Sequence, residues 1–152
     1  MASLKDRLRS ELTASMKARD ELRSSTLRMV LTAITNAEVS GKSARVLSDD
    51  DVLGVLASEG KKRRESATAY EAADRPELAA KEQAEAGIIA EFLPEPLSAD
   101  EISSLVSSTI TELGASQDGM RAMGRVMGAI TAQVKGRADG AAVSAEVRRQ
   151  LS

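Results

Sequence analysis

Four cations near the C-terminal end, Arg121, Arg125, Lys135 and Arg137, stand out for what their types and spacing could do. Between and beside them lie Gly124, Gly128, Ala132 and Gly136, which have little or no side chain. At about 100° per residue, a helix over about 117–134 puts Met123, Val126, Met127, Ile130 and Val134 on one side. Arg121, Arg125, Gly128, Ala132 and Lys135 fall together on the other. Such a face lets a bulky partner's backbone come close while guanidinium and ammonium groups reach its phosphates. Glycine in a helix interior costs about 1 kcal/mol relative to alanine. Gly124 and Gly128 therefore need a compensating reason, either close helix packing or close approach of a ligand. The same residues also read as a solvated charged face with glycines at a helix crossing, which would show as cations neutralised by Glu112, Asp118 or Glu146.

The run Lys135-Gly136-Arg137-Ala138-Asp139-Gly140 follows directly. Gly136 suits the left-handed turn that ends a helix, and Asp139 suits the N-cap of the next. The corner would set Lys135 and Arg137 at an exposed tip where a phosphate can be clamped. It has neither the strand nor the glycine spacing of a phosphate-binding loop. The other charged run, Lys61-Lys62-Arg63-Arg64, is spread around most of a helix circumference and forms no single patch. Steps of three and four from Val52 through Leu56, Glu59, Arg63 and Ser66 to Tyr70 keep Arg63 on the inner stripe. A pairing of Arg63 with Glu82 or Glu85 inside the bundle is expected, with a ligand-binding Arg as the alternative.

Composition narrows the chemistry. The 152 residues hold 21 Lys plus Arg and 23 Asp plus Glu, with no His, Cys or Trp. Without Cys there is no disulfide framework and no thiolate metal site. Without His, a Ser-His-Asp hydrolase is excluded and zinc chemistry loses its usual ligands. Neither a cofactor nor a bound metal is expected. The first twenty residues are charged throughout, unlike a signal peptide or membrane span, so a cytoplasmic protein with no membrane partner is expected. A net charge of −2 argues against nucleic-acid binding over the whole surface, but the charge is uneven. From Glu95 to Met120 there is no Lys or Arg, whereas basic residues dominate from Arg121 onward.

These residues need helices to position them. Leu4, Leu8, Leu12 and Met16 mark a first amphipathic helix, and Leu27, Val30, Leu31 and Ile34 a second that stops near Ser40-Gly41. Ser48 with Asp51 opens a third that ends about Asp74; Pro76 starts a fourth, which halts at Pro94. Pro94 and Pro96 cannot continue a helix. Ser98 with Glu101 then caps a fifth, the basic helix is the sixth, and Val143, Val147 and Leu151 mark a last short one. The expected fold class is all-α: a four-helix bundle over 1–94, then a three-helix bundle over 97–152.

Four stretches, in order, resemble the GatB/YqeY family, and the likeness to the stand-alone YqeY-like proteins runs along essentially the whole chain. They are Met16-Lys17-Ala18-Arg19-Asp20 with Leu22, Leu27 and Arg28; Arg63-Arg64-Glu65-Ser66 with Tyr70 and Arg75; Phe92-Leu93-Pro94-Glu95-Pro96-Leu97-Ser98; and Met123-Gly124-Arg125-Val126-Met127-Gly128 leading to Lys135-Gly136-Arg137-Ala138-Asp139-Gly140. The resemblance implies the same two helical bundles. It also implies a C-terminal part like the tail domain of the GatB subunit of glutamine-dependent tRNA amidotransferase, which helps to hold the tRNA body. The implied function is a tRNA-binding or amidotransferase-associated helical module without its own catalytic centre. Its nucleic-acid contacts would be Arg121, Arg125, Gly128, Lys135, Gly136 and Arg137. The implied partners are tRNA and an amidotransferase or tRNA synthetase. One alternative is an accessory subunit of a carbon–nitrogen ligase with glutamine as amide donor, drawing on Lys62, Arg63, Glu65 and Ser66; another is a protein-binding helical adaptor. Gly140 departs from the GatB-type tail, which tends to have proline there.

Overall fold

The structure, a computed structural model, describes residues 3–152. It is all-helical: α1 (Leu4–Lys17), α2 (Glu21–Val39), α3 (Asp49–Ala72), α4 (Pro76–Ala90), α5 (Ala99–Glu112), α6 (Met123–Val134) and α7 (Gly140–Leu151). A short 3-10 turn spans Gly119–Ala122, and no strand occurs among the described residues. The chain divides into two compact units, one ending at Leu93 that holds α1–α4 and one from Pro94 to Ser152 that holds α5–α7.

Local signals account for the helix ends. Ser48 and Asp51 form a complete capping box on α3, and Ser98 and Glu101 form another on α5, each satisfying two backbone donors that the first turn leaves free. Asp20 and Asp139 cap α2 and α7 through their carboxylates. Pro76 sits at the start of α4, where its missing N–H costs nothing.

The α1–α4 core is built from Leu8, Leu27, Val30, Ile34, Leu47, Val52, Leu56, Ile89 and Phe92. Met16, which continues the leucine spacing of α1, is instead half-exposed at 49%, and the buried position beside it is Ser15. Its hydroxyl meets that of Ser24 on α2 at 2.8 Å, so the end of α1 is fastened by a buried polar pair rather than by apolar contact. Arg23 bridges Glu11 and Glu91 at 3.1 and 2.8 Å while its guanidinium lies 5.8 Å from the centre of the Phe92 ring.

Beyond Leu56, α3 and α4 meet through small residues, with Gly60, Ala67, Ala79 and Ala86 buried, and through charge. Arg63 faces Glu59 at 3.0 Å, Glu82 at 3.7 Å and Glu85 at 4.0 Å, as its place on the inner stripe implies. Three carboxylates therefore share one guanidinium. Burial, then the neighbouring Glu82, push the Glu85 carboxyl above its ordinary value, while Arg63 and Lys81 pull the other way. A carboxyl whose folded pKa is raised takes up its proton in the folded chain before the unfolded one, so its destabilising effect is complete above that pKa and fades as the pH falls through it. Glu85→Gln, which leaves Arg63 both Glu59 and Glu82, should stabilise this unit by about 0.5–1 kcal/mol at pH 7, with the gain shrinking toward pH 4.5. Urea unfolding followed by the emission of Tyr70, the chain's one tyrosine, checks this; equal midpoints at both pH values would contradict it.

The second unit closes on Ile102, Val106, Ile110, Ala115, Ala122, Val126, Ile130, Val134, Val143, Val147 and Leu151. One expectation is corrected here. The sixth helix does not start near Gln117; α6 begins at Met123. Gly119 has φ +57°, a left-handed conformation that an α-helix cannot contain, and the chain passes through the 3-10 turn before α6.

Candidate functional site

The apolar half of α6 faces inward as its spacing requires: Val126, Ile130 and Val134 are buried, and Met123 and Met127 half-buried against the same core. The other half, with Gly124, Arg125, Gly128, Thr131 and Ala132, is exposed. A β-carbon built on Gly124 or Gly128 would have no neighbour within 4 Å. Neither glycine therefore serves helix packing. Both lie in the open, where the helix forgoes alanine's stability and gains no internal contact in exchange.

The cations expected along this face are not all brought together. Arg125 is exposed on α6, and its Nη2 donates to the Asp118 carboxylate at 2.6 Å. Arg121 lies on the 3-10 turn rather than on α6, and its Nε reaches the carbonyl oxygen of the same Asp118 at 3.5 Å. Lys135 is exposed at the end of α6, where the backbone leaves the helix with ψ 123°. Gly136 makes the left-handed turn at φ +78°.

Arg137 departs most from the expectation of an exposed tip. It is half-buried and turned back onto the proline segment. Its Nε donates to the Glu95 carbonyl at 3.0 Å, and its own carbonyl accepts from the Leu97 amide at 2.8 Å. It also lines a shallow groove with Leu97, Asp100, Glu101, Ser104, Leu105 and Gln133. Arg137 thus ties the start of the unit to its α6–α7 corner. A long side chain folded over a distant linker is a tertiary event that local spacing does not encode.

On α7, Arg149 is spent differently. Arg149 and Gln150 donate to Glu146, and these bonds hold the Glu146 carboxyl down to about 2. Gln150 also donates to the Ser103 carbonyl at 2.9 Å, joining α7 to α5.

The rival cluster on α3 does not converge. Arg63 is taken up by its three glutamates, Lys62 lies 3.4 Å from Glu59, and Glu65 is exposed to solvent. No group of carboxylates able to hold a metal ion occurs among the described residues, and no helix there is long and apolar enough to cross a membrane.

What the sequence pattern underweighted is Asp118. On a continuous helix it would lie about 10 Å along the axis from Arg125; the turn at Gly119 brings the two side chains into contact.

Comparison with known proteins adds kinship. A family model described as "Yqey-like protein" matches residues 5–151. "Uncharacterized protein C22F3.15" of Schizosaccharomyces pombe is 39% identical over 88 residues, 58% of this chain and 70% of that protein. "Altered inheritance of mitochondria protein 41, mitochondrial" of Saccharomyces cerevisiae is 35% identical over 96 residues, 61% of this chain and 50% of that protein. The namesake in Pyrenophora tritici-repentis is 28% identical over 134 residues, 87% of this chain and 71% of that protein. The match spans about half the length of the Saccharomyces cerevisiae relative.

Proposed function

The chain belongs to the YqeY-like protein family, and on that footing we propose that it is a helical module without a catalytic centre of its own that binds tRNA through the solvent-facing side of α6. The observation that carries this reading is the exposure of Gly124 and Gly128 with nothing in reach of a β-carbon. A sugar–phosphate backbone can approach a helix closely only where side chains are absent. Arg125 lies within that stretch and Lys135 beyond its end, about 15 Å apart along the axis, with Arg121 beside its start. Guanidinium and ammonium groups so placed contact phosphates and read shape rather than sequence. The unit that holds α6 carries no Phe, Tyr or Trp of its own for stacking bases.

Arg137 leaves the set of phosphate contacts and takes a structural role, which reduces the expected contacts from about four to about three. The Arg125–Asp118 pair is the neutralisation expected of a merely solvated face, but it does not block the surface. Its side chains are 55% and 41% exposed, and a pair of that kind is worth about 0–1 kcal/mol.

The double variant Arg125→Ala/Lys135→Ala should bind bulk tRNA about tenfold more weakly than the parent at low salt. Its affinity should also fall less steeply with salt. Equal affinity and equal salt dependence would remove the assignment.

A further inference from the structure

Both arginines at the start of the α6 face converge on one residue. Asp118 gives its carboxylate to Arg125 and its carbonyl oxygen to Arg121. Its side chain makes no capping bond to the 3-10 turn that follows it, although a residue at that position commonly does. The carboxylate is thus aimed across the turn at the guanidinium instead of at the local backbone. The left-handed Gly119 immediately after it sets that direction.

We propose that Asp118 is a built-in competitor for phosphate, occupying Arg125 until nucleic acid displaces it. The inference rests on the proposed tRNA-binding reading of this face. A carboxylate and a phosphate offer a guanidinium the same kind of charged oxygen acceptor. Asp118 therefore marks where a phosphate oxygen stands in the bound state. It holds Arg125 at the start of the α6 face in the free state.

The exchange has two consequences. Part of the attraction between Arg125 and the incoming strand goes into releasing Asp118, so affinity is reduced. The released carboxylate then sits beside the new phosphate and keeps a counterion there, so this contact adds little to the salt dependence. Dense runs of phosphate can displace the aspartate, and isolated small anions compete poorly.

The test uses the full chain and bulk deacylated tRNA, with affinity measured at several salt concentrations for the parent, Asp118→Asn, Arg125→Ala and the double variant. Asp118→Ser serves as a second variant should the amide perturb the turn, and circular dichroism checks the helices of each. Asp118→Asn is expected to bind about two- to fivefold more tightly at low salt, with a salt dependence steeper by roughly one phosphate contact. The gain should vanish when Arg125 is also alanine. A gain that persists without Arg125 would show a general charge effect and overturn the competitor role. So would no gain in either Asp118 variant. If Arg125→Ala binds more weakly than the parent while Asp118→Asn binds equally, the competitor role fails and the tRNA reading stands. If no variant binds tRNA, both fall.

Discussion

Replacing Arg63 with alanine is expected to destabilise the α1–α4 unit by about 3 kcal/mol at pH 7. The guanidinium sits among Glu59, Glu82 and Glu85, and all four side chains are at least four-fifths buried. Removing it leaves three carboxylates close together with little solvent to screen them, and water reaches only their edges. Their repulsion would act across the α3–α4 seam, where Gly60, Ala67, Ala79 and Ala86 supply little apolar area to offset it. Within this cluster Arg63 Nε and Glu82 Oε2 are themselves buried without a hydrogen-bond partner, so even the intact arrangement is strained for partners. Urea unfolding read by Tyr70 emission reports on this unit alone, because the other contains no tyrosine. The loss should shrink as the pH falls, since Glu85, whose carboxyl burial pushes above its ordinary value, then takes up its proton. Arg63→Lys should cost less than alanine, keeping the charge without the planar fork. A parent-like midpoint for Arg63→Ala would show that the cluster is solvated and contributes nothing to register.

The placement of Arg63 was legible from the sequence because it depends on periodicity alone. Val52, Leu56, Glu59 and Arg63 follow one another at helical steps, and a cation on that stripe must find an acid on the helix that returns. The inward side of α6 was legible for the same reason. The start of α6 was not. Ala122 continues the buried side before Met123, and apolar spacing carries no signal of the left-handed backbone at Gly119 that interrupts the helix. Arg137 sits away from the expected tip because its partner, the Glu95 carbonyl, lies across the unit in a linker whose path no local pattern fixes. For Gly124 and Gly128 the sequence could state the cost and name two reasons for it. Only coordinates remove the packing reason, since burial of a glycine leaves no mark on its neighbours' identities.

The two glycines also give the second large effect, and it has opposite signs in two measurements. Gly128→Ala in the middle of α6 should stabilise the helix by about 1 kcal/mol, and Gly124→Ala by somewhat less because it lies in the first turn. A β-carbon at either site meets nothing within 4 Å, so no clash offsets the gain. For a unit of this size 1 kcal/mol corresponds to about 4–8 °C in melting temperature. The same methyl groups stand where the phosphate backbone would pass, and they should weaken tRNA binding by about tenfold, roughly 1.4 kcal/mol. No charge changes, so the salt dependence should stay that of the parent, unlike the loss produced by Arg125→Ala/Lys135→Ala.

The decisive measurement is therefore paired on one sample: the melting temperature and the tRNA affinity of the Gly124→Ala/Gly128→Ala chain beside its parent. A higher melting temperature with weaker binding is the predicted result. A higher melting temperature with undiminished binding would contradict it, because the bare face of α6 would then be solvent-exposed helix and no contact surface.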